Sequence, residues 1–209
     1  MKHLNLSLVL LFVFAFLSNS SCTICSCQTV DCPAFNEPKL DQWINPMENS
    51  TLLFKNSSSL LTDTLALGKI QRSTTTQVSK GCMHPATGCH ANLLFFDLQT
   101  ASNVPKFTLT FDSFTGWDNN TTKQFTIEYK GLFVIGMGVT DTGFVTSTAG
   151  IQTMFSSTIS LNGKSFSNVQ LISADSSVKA TGITQLYFAR NVGIVAFKTY
   201  PAQELWVKQ

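Results

Sequence analysis

Two cysteines and two histidines lie close together in the segment Cys82-Met83-His84-Pro85-Ala86-Thr87-Gly88-Cys89-His90. Thiolate and imidazole are ligands that copper and zinc prefer, and the Met83 thioether is a further soft ligand for Cu(I). Cys82 and Cys89 flank a short loop with Pro and Gly, and in an oxidising compartment such a pair forms a disulfide. We predict the Cys82–Cys89 disulfide, and no bound metal, because the disulfide removes both sulfur ligands. A copper or zinc site at His84 and His90 is the alternative.

The first cysteine of the chain, Cys22, follows a segment with the features of a secretory signal. Lys2 precedes an apolar run over residues 4–17, and small polar residues follow it. This order is typical of a signal peptide, which we assign to residues 1–21. The run is about 14 residues long, shorter than the ~20 that a spanning helix needs. Cleavage before Cys22 would leave its thiol as the acceptor for acyl chains, and two or three chains hold a protein firmly on a membrane.

The alternative is ordinary cleavage, after which Cys22 is removed or forms a disulfide. The six cysteines of the chain allow 15 pairings. The partners of Cys25, Cys27 and Cys32 stay open.

Motifs for nucleophilic or metal-assisted hydrolysis are absent from the sequence. It has no Gly-x-Ser-x-Gly and no His-Glu-x-x-His, and a Cys89 nucleophile would need the thiolate that a disulfide removes. Asp112, Asp118 and Glu128 belong to one predicted hairpin, and a retaining glycosidase needs two carboxyl groups ~5 Å apart. The alternative is that these three carboxylates are solvent-exposed residues on the strands and in the turn of that hairpin. We therefore predict no enzyme and no cofactor.

The tip of that hairpin is a candidate ligand contact. Phe114 and Trp117 are followed by Asp118, Asn119 and Asn120. Aromatic rings stack on sugar rings, and carboxylate and amide groups bond to hydroxyls. The alternative is that the aromatic residues fold back onto the edge of the sheet.

The composition of the chain restricts its class. Charged residues are 12% of the 209 residues, about half the usual share, whereas 44% are hydrophobic and 17 are Phe. This apolar content excludes intrinsic disorder. The net charge of +2, without runs of either sign, argues against nucleic acid as a partner.

Alternating apolar and polar residues predict strands in the chain after residue 50. The pattern is clear at 107–112 and 125–130, and further strands are predicted at 51–55, 61–71, 92–98, 132–138 and 204–207. Asn162-Gly163, between 153–161 and 164–173, predicts a type I′ hairpin. Another turn is predicted at Asn191-Val192-Gly193, between strands 185–190 and 194–199.

These elements predict one all-β domain at 51–209, either an antiparallel β-sandwich or an open, strongly curved β-barrel. Residues 22–50 form a Cys- and Pro-containing tether and lead-in, with a short helical stretch around residues 39–44.

Several of these segments resemble small exported lipoproteins of unknown function from Gram-negative bacteria. The matching segments are Asp31-Cys32-Pro33-Ala34-Phe35, Trp43, Pro46, Leu53-Phe54-Lys55-Asn56-Ser57, the hairpin at 162–169, the strand pair at 186–197 and Leu205-Trp206. The resemblance implies a β-rich, lipid-anchored envelope protein, and it implies no catalytic residue.

We therefore expect a non-catalytic lipoprotein of the cell envelope or cell surface, exported and held on a membrane, with the outer membrane the expected site. Its role would be binding or structural support, with a glycan, a lipid or an envelope protein as partner. A carrier that binds a lipophilic ligand in a Phe-lined β cavity is the alternative.

Overall fold

The structure is a computed structural model that describes residues 32, 34–77, 88–97, 107–115, 121–175 and 182–209. The segment 1–21 predicted to be a signal peptide, Cys22, Cys82, His84 and residues 117–120 lie outside the described residues. None of the helices in the described ranges is both long and apolar enough to cross a membrane.

The described chain folds into one α-helix, one 3₁₀ turn and thirteen strands. The helix α1 spans Pro38–Ile44, and the 3₁₀ turn spans Asn45–Met47. The strands are β1 Thr51–Asn56, β2 Thr62–Ala66, β3 Gln71–Gln77, β4 Gly88–Phe96, β5 Phe107–Thr115, β6 Thr121–Tyr129, β7 Leu132–Thr140, β8 Gly143–Thr146, β9 Ile151–Leu161, β10 Lys164–Ala174, β11 Gly182–Ala189, β12 Gly193–Tyr200 and β13 Leu205–Lys208.

The strands form two antiparallel sheets that are not closed into a barrel. The seven-stranded sheet has the order β2-β1-β13-β12-β11-β10-β9, and the six-stranded sheet has the order β3-β4-β5-β6-β7-β8. This arrangement confirms the predicted all-β class and is consistent with a β-sandwich, the first of the two predicted architectures. Side chains alternate between the core and the other face along β5, where Phe107, Leu109 and Phe111 are buried.

Aromatic rings fill the space between the two sheets. Phe125, Phe144 and Phe188 form one chain of contacts, with ring centroids 5.1 and 5.2 Å apart. Tyr129 meets Phe197 edge to face at 5.5 Å, a favoured geometry for aromatic pairs. These rings are buried against one another, so the Phe-rich composition forms a packed core.

The lead-in segment is built into this core. Pro38 has a fixed φ that suits the first helical turn, and the helical spacing of Leu40, Trp43 and Ile44 places them on one buried face. Outside that face, Arg72 of β3 donates to Asp41 at 2.8 Å. The helix predicted around residues 39–44 is confirmed, and it packs between the sheets.

The predicted hairpin turn at Asn162-Gly163 is present, with φ values of 49° and 77°, as a type I′ turn requires. The predicted strand at 61–71 is instead two strands, β2 and β3, which belong to different sheets. The sequence gives no break there because its apolar residues continue through Leu65, Leu67 and Ile70, and all three are buried. Strand β8 was not expected from the pattern.

Candidate functional site

The disulfide differs from the predicted one. Cys89 is bonded to Cys32, with their Cα atoms 5.4 Å apart, so the Cys82–Cys89 pairing is wrong. Cys89 lies near the start of β4, and the segment that carries Cys32 reaches the same end of the sheet. Phe35 of that segment packs edge to face on Phe111 of β5, with ring centroids 5.9 Å apart. The bond leaves the Cys89 sulfur unavailable as a metal ligand or nucleophile.

His90 lies on the other face of the sheet from Cys89, because neighbouring residues of a strand point in opposite directions. Its Nε2 is 3.3 Å from Oδ1 of Asp112 on β5. Among the described residues, no group of three His, Cys, Asp or Glu side chains could hold a metal ion. His84, the other residue of the alternative metal site, lies outside them.

The carboxylates of the predicted hairpin do not come together as a glycosidase pair. Asp112 is opposite Gln124 of β6, whereas Glu128 is opposite Thr108 of β5. The two carboxylates are therefore four positions apart along the strands, or about 13 Å at a rise of ~3.3 Å per residue. A retaining pair needs ~5 Å and an inverting pair less than ~10 Å. Asp118 lies outside the described residues.

Phe114 was expected at the tip of the hairpin, and the structure instead places it in strand β5. The strands continue to the pair Thr115 and Thr121, beyond the alternating residues that the sequence pattern contains. Phe114 is partly buried, opposite His90 of β4 and Thr122 of β6. Trp117, Asp118, Asn119 and Asn120, the other predicted contacts, lie outside the described residues.

A row of polar side chains crosses the face of the six-stranded sheet that is turned away from the core. Asn92 of β4 is opposite Asp112 of β5, which is opposite Gln124 of β6. The Asn92 Nδ2 donates to Asp112 Oδ1 at 2.6 Å. The carboxylate is thus fixed by Asn92 and His90 through the same oxygen.

Apolar side chains flank this polar row. Asp112 and Gln124 of this row and the apolar side chains beside them line a surface groove of about 370 Å³, which we call the outer-face groove. Its residues include Asp112, Phe114, Thr122, Gln124, Ile135 and Met137. Met137 is 70% exposed, so its apolar side chain is accessible to a ligand in the groove.

Sequence reasoning found Asp112 and Phe114 but missed Asn92, Gln124 and Met137. The alternating pattern places such residues on the solvent side of their strands. It does not tell which of them are neighbours, because the register between strands is needed for that.

A second surface cavity, of about 450 Å³, lies beside the β1–β2 connection. It is lined by Lys55, Lys164 and a run of serines at 57–59, without an aromatic side chain. Lys164 Nζ donates to the Lys208 carbonyl at 3.0 Å. This cavity offers hydrogen bonds but no ring surface, so the outer-face groove is the better candidate for a specific ligand.

No protein-family model, curated protein or solved structure matches the chain. A function for this chain is therefore inferred from the geometry of the outer-face groove.

Proposed function

We propose that the protein is an exported, non-catalytic binding protein, held on the cell envelope through acylated Cys22, whose ligand site is the outer-face groove. The observation that carries the proposal is the juxtaposition of a fixed carboxylate, Asp112, with the exposed thioether of Met137. Small-ligand sites typically combine a few polar groups with apolar surface. The basic residue, apolar run and small polar residues that precede Cys22 support the anchor.

Two observations support a non-catalytic site and its place on the surface. His90 contacts Asp112, and in the described part of the chain neither a hydroxyl nor a thiol is hydrogen-bonded to its imidazole ring. The interlayer space is filled by aromatic rings, which favours a ligand on the surface over a lipophilic ligand in the interior.

The test uses the full chain, expressed with its own leader in a Gram-negative host. We expect the processed protein to start at Cys22, to carry acyl chains in its intact mass, and to fractionate with membranes. Cys22→Ser should carry no acyl chains and should be extracted from the cells without detergent, with its disulfide intact. The released protein should sediment with protein-free envelope material, and Asp112→Asn and Met137→Ser should reduce that attachment while Glu128→Gln should not.

A processed mass without acyl chains would overturn the anchor. If the two groove variants, Asp112→Asn and Met137→Ser, attach as well as the control Glu128→Gln, the assignment of the site is wrong. Turnover of envelope material would overturn the non-catalytic role.

A further inference from the structure

We propose that the outer-face groove binds an uncharged saccharide, with the Asp112 carboxylate and the Gln124 amide bonding to adjacent ring hydroxyls. The inference rests on the proposed function and names its ligand class. It follows from three features of the groove: the hydrogen-bonding groups of the polar row, the apolar side chains beside that row, and the charges of Asp112 and Lys123.

The polar row suits a pair of hydroxyl groups. Asp112 and Gln124 are cross-strand partners, and opposite residues on one face have Cβ atoms about 5 Å apart. Asn92 and His90 both contact Oδ1 of Asp112. A carboxylate has two oxygens that accept hydrogen bonds, and an amide both donates and accepts. Oδ2 of Asp112 can therefore accept from one hydroxyl, and the Gln124 amide can donate to or accept from a second.

The sides of the groove suit the other surface of a sugar ring. Sugar rings are amphipathic, with hydroxyls at the edge and C–H groups on the faces. Phe114 lies one pleat from Asp112 along β5, and Met137 follows Gly136, the partner of Phe125 in β6. Apolar surface thus lies beside Asp112 along β5 and beyond Gln124 on β7, where C–H groups can pack while hydroxyls bond to the row.

The charges favour a neutral ligand. Asp112 is the one carboxylate among the residues that line the groove. Lys123 also borders it, but its ammonium donates to Glu37, a contact on the core side of β6. An acidic sugar would place its carboxylate beside Asp112 without a free ammonium to offset the repulsion.

The size of the groove favours a small molecule over a protein. Its volume of about 370 Å³ lies in the range of ~300–1,000 Å³ for ligand pockets. A specific protein partner covers ~800 Å² on each side, and the polar row at the centre of the groove would then need matched partners over its whole length.

The experiment is a calorimetric titration of the processed protein. The probes are neutral glucan, galactan and mannan oligosaccharides, the same oligosaccharides after periodate cleavage of their adjacent diols, and oligogalacturonate. We expect at least one neutral oligosaccharide to bind, its cleaved form to lose binding, and oligogalacturonate to bind more weakly.

The variants assign the binding to the groove. Asp112→Asn should weaken binding about tenfold or more, since it removes a charge-assisted hydrogen bond. Met137→Ser, at an exposed position, should also weaken it, because it removes apolar surface from the groove. Glu128→Gln makes the same carboxylate-to-amide change on the same face of the sheet, outside the groove, and should bind as the unsubstituted protein does.

Equal binding of intact and cleaved oligosaccharides would overturn the proposal, and so would tighter binding of oligogalacturonate. If no saccharide binds while Asp112→Asn still reduces attachment to the envelope, the ligand class is wrong and the proposed function stands. If Asp112→Asn changes neither, both are wrong.

Discussion

One buried glutamine links the two sheets at the scale of single residues. Gln170 of β10 is 3% exposed, and its amide oxygen accepts from the Phe144 backbone N–H at 2.7 Å. Its Nε2 donates to the Phe144 carbonyl, also at 2.7 Å. Gly143, with φ +114°, leaves room that a Cβ would fill against this amide. The side chain thus satisfies backbone groups at the edge of the six-stranded sheet.

Gln170→Met should lower the free energy of unfolding by about 2–4 kcal/mol. The change keeps the shape of the side chain but leaves a buried N–H and a buried carbonyl without their partner, at ~1–3 kcal/mol each. Urea unfolding followed by tryptophan fluorescence measures the change. Gln152→Met, at an exposed position of β9, is the matched control and should change stability little. Equal effects of the two variants would contradict the role of Gln170.

At the scale of elements, the disulfide fixes the segment before α1 to the sheet. Cys32 and Cys89 are 57 residues apart, and α1 and strands β1 to β3 lie between them. Phe35 also holds this segment through its contact with Phe111. The bond therefore restricts a long stretch of the unfolded chain.

Removal of this bond should lower the free energy of unfolding by up to about 4 kcal/mol, the loop-closure value for a loop of this length. Cys32→Ser combined with Cys89→Ser tests it, with unfolding measured under oxidising conditions. Cys82→Ser is the control that separates the observed pairing from the predicted one. A loss of stability in Cys82→Ser as large as that in the double variant would restore the Cys82–Cys89 pairing, because both variants would then break the same bond.

At the scale of the whole molecule, the packed core makes the free energy of unfolding depend on pH in the alkaline range. Burial raises the pKa of Tyr129, and Asp63 and Asp97 raise it further. Burial also raises the pKa of Tyr187. A tyrosine with a raised pKa stays protonated in the folded state but ionises near pH 10 when unfolded. The stability it contributes is therefore full below pH 10 and is lost as the pH rises above it.

Above pH 10, the free energy of unfolding of Tyr129→Phe should fall less steeply than that of the unsubstituted protein, by up to about 1.4 kcal/mol per pH unit. Its stability at pH 7 should change little, because the Tyr129 hydroxyl forms no hydrogen bond with the described residues. Urea unfolding at pH 7, 9, 10 and 11 gives the profile. Tyr187→Phe, at a less buried ring whose hydroxyl donates to Gln185 at 2.9 Å, should have a smaller effect. Parallel profiles for the unsubstituted protein and Tyr129→Phe would contradict the prediction.

The sequence by itself determined the all-β class, the helix around Trp43 and the hairpin at Asn162-Gly163. Each depends on residues close in the chain: an alternation of two, a helical spacing of three and four, or a dipeptide that adopts positive φ. These signals are local, so they are present before any tertiary contact forms.

Only the tertiary structure decided the partner of Cys89, the contact of His90 with Asp112 and the neighbours that form the outer-face groove. It also divided the predicted strand at 61–71 between β2 and β3, which belong to different sheets. The physical reason is that strand register brings together residues that are distant in the chain. A shift of one residue would reverse the face of every side chain, and the burial of the aromatic core selects the register that is observed.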